Sequence, residues 1–268
     1  MTFTVLIITG LVVLTVCGQV VVQRWVKHDF EPHQGVVEAM LGVVGTLFSV
    51  LLGLLVANSI DSYHDVKTQV SAEANSLGDV FRIARGFEKE DRVRVRVLCR
   101  QYADSVMKEE WPAMQNGHMS DITWDVYQQL WEAAVAVNPV NDREVNLHQG
   151  MVQAMQQFGQ ARRSRGMACT VHLQLAIWIA ITAGAIITVL FTYFFAAKLG
   201  KLHTVMTALI AISLGLNIWL LAAYSSPFSG ELQIQPDAFA LLKLKMFNNP
   251  DTPSRFLHDT PVAQPVVK

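Results

Sequence analysis

Long apolar runs, each bounded by polar positions, divide this chain more clearly than any motif does. The hydrocarbon core of a bilayer needs about 20 apolar residues in helix, because every backbone N–H and C=O must be satisfied inside the segment. Four stretches meet that requirement: Phe3 to Val22, Val36 to Ile60, Leu173 to Ala197 and Leu202 to Tyr224. Trp25, Trp178, Trp219 and Tyr224 lie at span ends or within a few turns of them, where interface-seeking aromatics concentrate. The connectors Gln23 to Gln34 and Lys198-Leu199-Gly200-Lys201 are short, so each pair of spans is expected to form a helical hairpin.

Helical periodicity continues between the pairs. Beyond Ile60 the positions Tyr63, Val66, Val70, Ala74, Leu77, Phe81 and Ala84 keep an apolar stripe, with no Gly or Pro before Gly78. The second span is therefore predicted to run unbroken into a long helix ending near Gly86. Further helices are predicted from Glu90 to Trp111, Ser120 to Val137 and Asp142 to Arg165, punctuated by Pro112, Gly117 and Asn138-Pro139. The tail from Asn248, with four prolines, is expected to be mobile.

The expected architecture is an all-α polytopic membrane protein: four transmembrane helices in two hairpins, with a helical domain inserted between spans two and three. Its divisions are residues 1–60, the first hairpin; 61–170, the inserted domain; 171–224, the second hairpin; and 225–268, a C-terminal tail. Two hairpins return the chain to its starting side, so the inserted domain and both termini share one face of the membrane. Arg162, Arg163 and Arg165, just before the third span, favour the cytoplasm for that face. A bacterial inner (plasma) membrane location follows.

Charge sharpens this division. Residues 61–165 hold 13 of the 21 Lys and Arg and 15 of the 22 Asp and Glu, which leaves the flanking regions nearly charge-free. A formal net charge of -1 carries no basic footprint for nucleic acid. Cys17, Cys99 and Cys169 are too few and too scattered for a disulfide framework or a zinc site. The segment Met1 to Val22 lacks a basic start and a small-x-small cleavage pattern, so it is read as a span and not as a cleaved signal. Leu14-Thr15-Val16-Cys17 lacks the features of a lipoprotein acylation site.

No catalytic constellation is present: no G-x-S-x-G, no phosphate-binding glycine loop, no Cys-x-x-Cys and no H-E-x-x-H. No enzyme activity and no cofactor are implied. Asp61, His64 and Asp65 share one helical face at the membrane exit and read either as a site for a cation or proton or as a solvated polar collar. Asn217, deep in the fourth span, is expected to form an interhelical hydrogen bond. Gly42, Gly45, Thr46, Ser49 and Gly53 form a small-residue stripe along the second span. It supports two readings: close helix packing, or a pore ringed by copies of this helix with Val50 and Leu54 as an apolar constriction that gates by dewetting.

The run Leu51-Leu52-Gly53-Leu54-Leu55-Val56-Ala57-Asn58-Ser59, then Tyr63 and Glu73-Ala74, joins a span to a long helix, and Ser225-Ser226-Pro227-Phe228-Ser229-Gly230-Glu231-Leu232 follows the last span. In these segments and in its layout the chain resembles the bestrophin-like family of bacterial membrane proteins, and more distantly the bestrophins. The resemblance implies a homopentameric ion channel, mostly anion-selective in that family, with the second span lining the pore. It places Thr46, Val50 and Leu54 at an apolar neck. Glu38, Ser49, Asn58 and Asp61 are the polar positions facing the permeation path on this reading. The implied partners are the lipid bilayer, further copies of the chain and small permeant ions such as chloride. Bestrophins typically carry an Arg before the Asn after the neck and an Arg-rich aromatic stretch beyond it; here stand Ala57 and Ser62-Tyr63-His64-Asp65, an acidic exit that leaves cations open. Two other classes remain: a non-conducting membrane scaffold or sensor, and a stator-like proton-channel subunit using Thr182, Thr188, Thr204, Thr207 and Ser213.

Overall fold

The computed structural model of the chain describes residues 2–25, 34–170, 173–193 and 200–248. Every regular element among them is helical: α1 (Thr2–Trp25), α2 (Gln34–Ile83), α3 (Lys89–Ser105), α4 (Trp111–Gln115), α5 (Asp121–Val135), α6 (Asp142–Thr170), α7 (Leu175–Tyr193), α8 (Gly200–Tyr224) and α9 (Asp237–Leu242). Gly35–Gly86, Leu175–Tyr193 and Leu202–Tyr224 are long and apolar enough to cross a membrane, and Thr9–Val22 is a shorter apolar helix. The middle of the first expected connector, the end of the third expected span with the first half of the second connector, and the tail from residue 249, expected to be mobile, lie outside the described residues.

α2 is unbroken over 50 residues, or about 75 Å at 1.5 Å per residue. The absence of proline between Gln34 and Ile83 permits this, and a single 3₁₀ turn at Ala84–Gly86 ends it where the periodicity predicted. The predicted helix from Glu90 to Trp111 is interrupted instead. After Ser105 it widens into a π-helical turn over Val106–Glu110 before α4 begins at Trp111. Pro112 explains the widening, because it has no N–H to donate and its ring crowds the carbonyl four residues back.

The chain packs into two units. One comprises residues up to Thr68, Met114–His118 and Ser164–Gln235. Its core is Phe48, Leu52 and Val56 of α2 with Ile181 of α7 and Leu221 of α8, flanked by Ile177, Ala185, Leu214 and Ile218. The four-residue spacing of the α2 members puts them on one stripe. The Phe48 ring occupies the place a Cβ would take on Gly184, so these two helices approach as closely as a missing side chain allows. α1 lies mainly against α8, and Tyr193 Oη at the end of α7 donates to the Thr15 carbonyl over 2.8 Å.

The second unit comprises Gln69–Ala113, Met119–Arg163 and the chain from Pro236 onward. It buries Leu77, Val80, Phe81, Val95, Leu130, Met151, Phe158 and Phe239, and among them a polar chain. Arg162 Nη1 donates to both carboxylate oxygens of Glu110 over 2.8 and 3.0 Å and to Tyr102 Oη over 2.8 Å; Tyr102 in turn donates to Glu73 Oε1 over 2.6 Å. All four residues are buried, and the rings of Tyr102, Trp124 and Tyr127 stand 5.6 to 5.9 Å from the guanidinium carbon. The π turn brings Glu110 to this position at its inner end. Arg162 and Arg165, taken above as membrane-flanking charges, are thus interior residues, and only Arg163 of the three is exposed.

Two stability outcomes follow. Gly184→Val drives a branched side chain into the Phe48 ring and is expected to cost about 1–3 kcal/mol, read as a lowered melting temperature in detergent. Arg162→Met deprives the Glu110 carboxylate of its guanidinium and is expected to cost about 3–5 kcal/mol, while Arg163→Met leaves the melting temperature unchanged. Equal effects from the two arginines would contradict this structure.

Candidate functional site

The apolar part of α2 packs by one edge only. Phe48, Leu52, Val56 and Ser59 are buried, whereas Val43, Leu47, Val50 and Leu54 are exposed by 57–68%. At about 100° per residue, these four and Asp61 all fall within about 40° of the direction opposite Leu52. A row of large apolar side chains, left uncovered among the described residues, therefore faces away from the packed edge of α2 and ends in a carboxylate.

The sequence-predicted residues distribute around this face unevenly. Val50 and Leu54 lie in the middle of it, Thr46 and Asn58 border it on either side, and Asp61 closes it; all five are exposed. Thr46 Oγ1 donates to the Gly42 carbonyl over 2.7 Å, so its hydroxyl is spent on the helix itself. Glu38 and Ser49 are exposed too, but they sit on the flank nearer the packed edge, about 40° and 60° from Leu52. The small-residue stripe does not serve packing within the chain: a Cβ on Gly42, Gly45 or Gly53 would meet nothing within 4 Å.

Below the apolar row the surface turns polar. Asn58, Ser59, Ser62 and Tyr63 of α2, with Tyr224 at the end of α8 and Ser225 and Pro227 after it, line a cavity of about 200 Å³. The Tyr63 and Tyr224 rings meet edge to face at 5.1 Å, and burial, followed by the neighbouring Tyr224, pushes the Tyr63 phenol above its usual range. Asp61, His64 and Asp65 are exposed, and among the described residues no three His, Cys, Asp or Glu side chains are grouped to hold a metal ion.

Residues 9–239 match the family pattern of the Bestrophin-like domain. The chain belongs to the bestrophin-like family. Solved structures agree on the fold. Two variants of a bacterial bestrophin homolog from Klebsiella pneumoniae are each 11% identical, with TM-scores of 0.66 and 0.70; each alignment covers 88% of this chain and 98% and 96% of theirs. A structure described as a membrane protein is 12% identical with a TM-score of 0.71 over 90% of this chain and 98% of its own. Comparison with curated proteins finds no match. This bestrophin-like chain is accordingly a membrane protein with an all-helical bestrophin fold.

Two sequence readings meet a different arrangement. Asn217 donates to the Ser213 carbonyl one turn back in α8, over 2.8 Å, and not across to a neighbouring helix, because an i to i−4 bond satisfies the amide without a partner strand of helix. Thr182 and Thr188 likewise donate to Trp178 and Gly184 carbonyls of their own helix. Sequence reasoning did not find the Glu73–Tyr102–Arg162–Glu110 chain. Its one local signal was Pro112 following Glu109-Glu110, and the pairing partners stand 29 to 60 residues apart.

Proposed function

We propose that this bestrophin-like chain assembles as a homopentameric ion channel in the bacterial inner membrane, with α2 lining the pore. The observation that carries the reading is the outward row on α2, a helix with one packed edge and a long apolar face that none of the described residues covers. Five copies arranged about an axis would put that row on the axis and give Thr46, Val50 and Leu54 the place of an apolar neck. With the Thr46 hydroxyl bonded to its own helix, all three would present hydrocarbon to the lumen, as gating by dewetting requires. Gly42, Gly45 and Gly53 leave room for neighbouring α2 copies to approach.

On this reading α1, the apolar part of α2, α7 and α8 cross the bilayer as two hairpins. Residues 61–170 and both termini lie in the cytoplasm. The role is transport and not catalysis. Asn58 and Asp61 follow the neck, while Glu38 and Ser49, on the flank nearer the packed edge, face away from the path. Family resemblance suggests anions such as chloride. A ring of Asp61 carboxylates, with Ala57 in place of a basic residue, favours cations at the exit.

Planar-bilayer recording of the purified protein tests this directly. Leu54→Thr is expected to raise conductance by wetting the neck. Asp61→Asn is expected to move the reversal potential in a salt gradient toward the anion value. If no unitary current appears across several salts and Leu54→Thr makes no difference, the scaffold reading takes its place. The mass of the detergent-solubilised assembly checks the subunit number independently: it should be five times the 29.8 kDa chain, and a monomer would exclude an axial pore.

A further inference from the structure

Three buried polar side chains in the α1–α7–α8 bundle have atoms that no described protein group satisfies. Gln19 is fully buried with neither amide atom hydrogen-bonded. His203 is buried with Nε2 unbonded, and Thr207 is buried with Oγ1 unbonded. Polar groups stranded this way in an apolar bundle are costly, and each calls for a specific guest or partner.

The register of the bundle brings them to one level. Tyr193 Oη donates to the Thr15 carbonyl and would stand 2.8 Å from a Cβ on Gly18, which sets the end of α7 beside residues 15–18 of α1. The His203 ring lies against the Thr192 backbone, at that same end. Thr15 and Ala211 share the wall of an apolar cavity of about 380 Å³ between α1, α7 and α8. α1 and α8 run antiparallel, so one turn beyond Thr15 on α1 is Gln19, and one turn before Ala211 on α8 is Thr207. His203 is one further turn along the same face of α8.

We propose that Gln19, His203 and Thr207 form an internal hydration site holding water inside this bundle. The donor and acceptor balance fits water. Gln19 offers an acceptor and an NH₂ donor, the Thr207 hydroxyl can do either, and His203 Nε2 takes whichever role its tautomer leaves open. A water molecule supplies two donors and two acceptors and usually makes about three bonds to otherwise unsatisfied buried groups. A bare ion fits worse, since residues 9–22, 175–193 and 202–224 contain no Asp, Glu, Lys or Arg to balance it. The apolar cavity one turn away offers only Thr15, Thr182 and Tyr193 as polar neighbours, and all three already bond elsewhere. The site stands apart from α2 and does not depend on the pore reading.

Solid-state NMR of isotope-labelled full-length protein in liposomes tests the site through magnetisation transfer from water. The His203 ring nitrogens are assigned by their loss in His203→Gln. Transfer to them is expected to exceed that to the buried Ile181 side chain severalfold. Transfer no greater than to Ile181, or a direct cross-peak between the Gln19 amide and the His203 ring, would overturn the proposal. A ring signal that moves when chloride is replaced by bromide would do the same, by identifying an anion as the guest. In parallel, Thr207→Val is expected to lower the melting temperature by about 2–4 °C through loss of a water bond. A rise would mean that the hydroxyl had been stranded, and would also overturn the proposal; if the variant does not fold, the transfer measurement on the wild-type chain decides alone.

Discussion

The continuity of α2 is the constraint on which the rest of this protein depends. One hydrogen-bond ladder runs from Gln34 to Ile83 without a proline, so the helix cannot turn one face in its apolar half and another in its polar half. Its buried positions Leu52, Val56, Val66, Val70, Ala74, Leu77 and Phe81 follow one stripe. Within each unit, the rotational setting of the helix decides which of its side chains meet protein and which are left over. In the apolar half the remainder is Val43, Leu47, Val50 and Leu54, and a soluble monomer has no use for such a row.

The polar end of that helix is held by a different kind of force. Glu73 on α2 reaches Tyr102, Tyr102 receives from Arg162, and Arg162 grips Glu110 at the end of a π turn. Replacing such a chain with hydrocarbon of the same shape can leave stability unchanged, but it cannot lose one member without stranding another. Its effect is specificity of pairing between segments distant in sequence. α3, the π turn, α6 and α2 can satisfy these four groups together in very few arrangements. The irregular turn before Pro112 is part of the device, because a regular helix would aim Glu110 elsewhere.

Family membership and local chemistry constrain different things here. A fold shared at 10–12% identity shows that the helical scaffold tolerates almost any side chain compatible with its apolar periodicity. On the proposed channel reading, what such a scaffold does to ions would be set by a few outward positions of α2, and those are where this chain departs from the bestrophin pattern. Ala57 stands where bestrophins carry an Arg, and Asp61 and Asp65 follow it. The scaffold can be shared while the charge that follows the apolar row of α2 differs.

Much of this was legible in the sequence because it depends on local periodicity. The apolar runs, the unbroken helix to Gly86 and the breaks at Pro112 and Asn138-Pro139 follow from residue spacing and backbone chemistry, which act within a few residues of themselves. Gly42, Gly45, Thr46, Ser49 and Gly53 could be picked as a small-residue stripe, and the family resemblance placed Thr46, Val50 and Leu54 at a neck, although spacing alone could not say which edge of α2 would be packed. That required Phe48 to find the gap at Gly184 on α7, a contact between helices 136 positions apart in the numbering. The same limit applied to polar groups. Asn217 was predicted to bridge helices and bonds its own backbone, while Arg162 looked like a membrane-flanking charge and is an interior ion-pair partner. Sequence by itself determined which segments are helical and which of them are apolar, because those properties are summed over neighbours. Only tertiary structure decided which faces are covered and which charges are paired, because burial is a property of the space between segments and no single segment contains it.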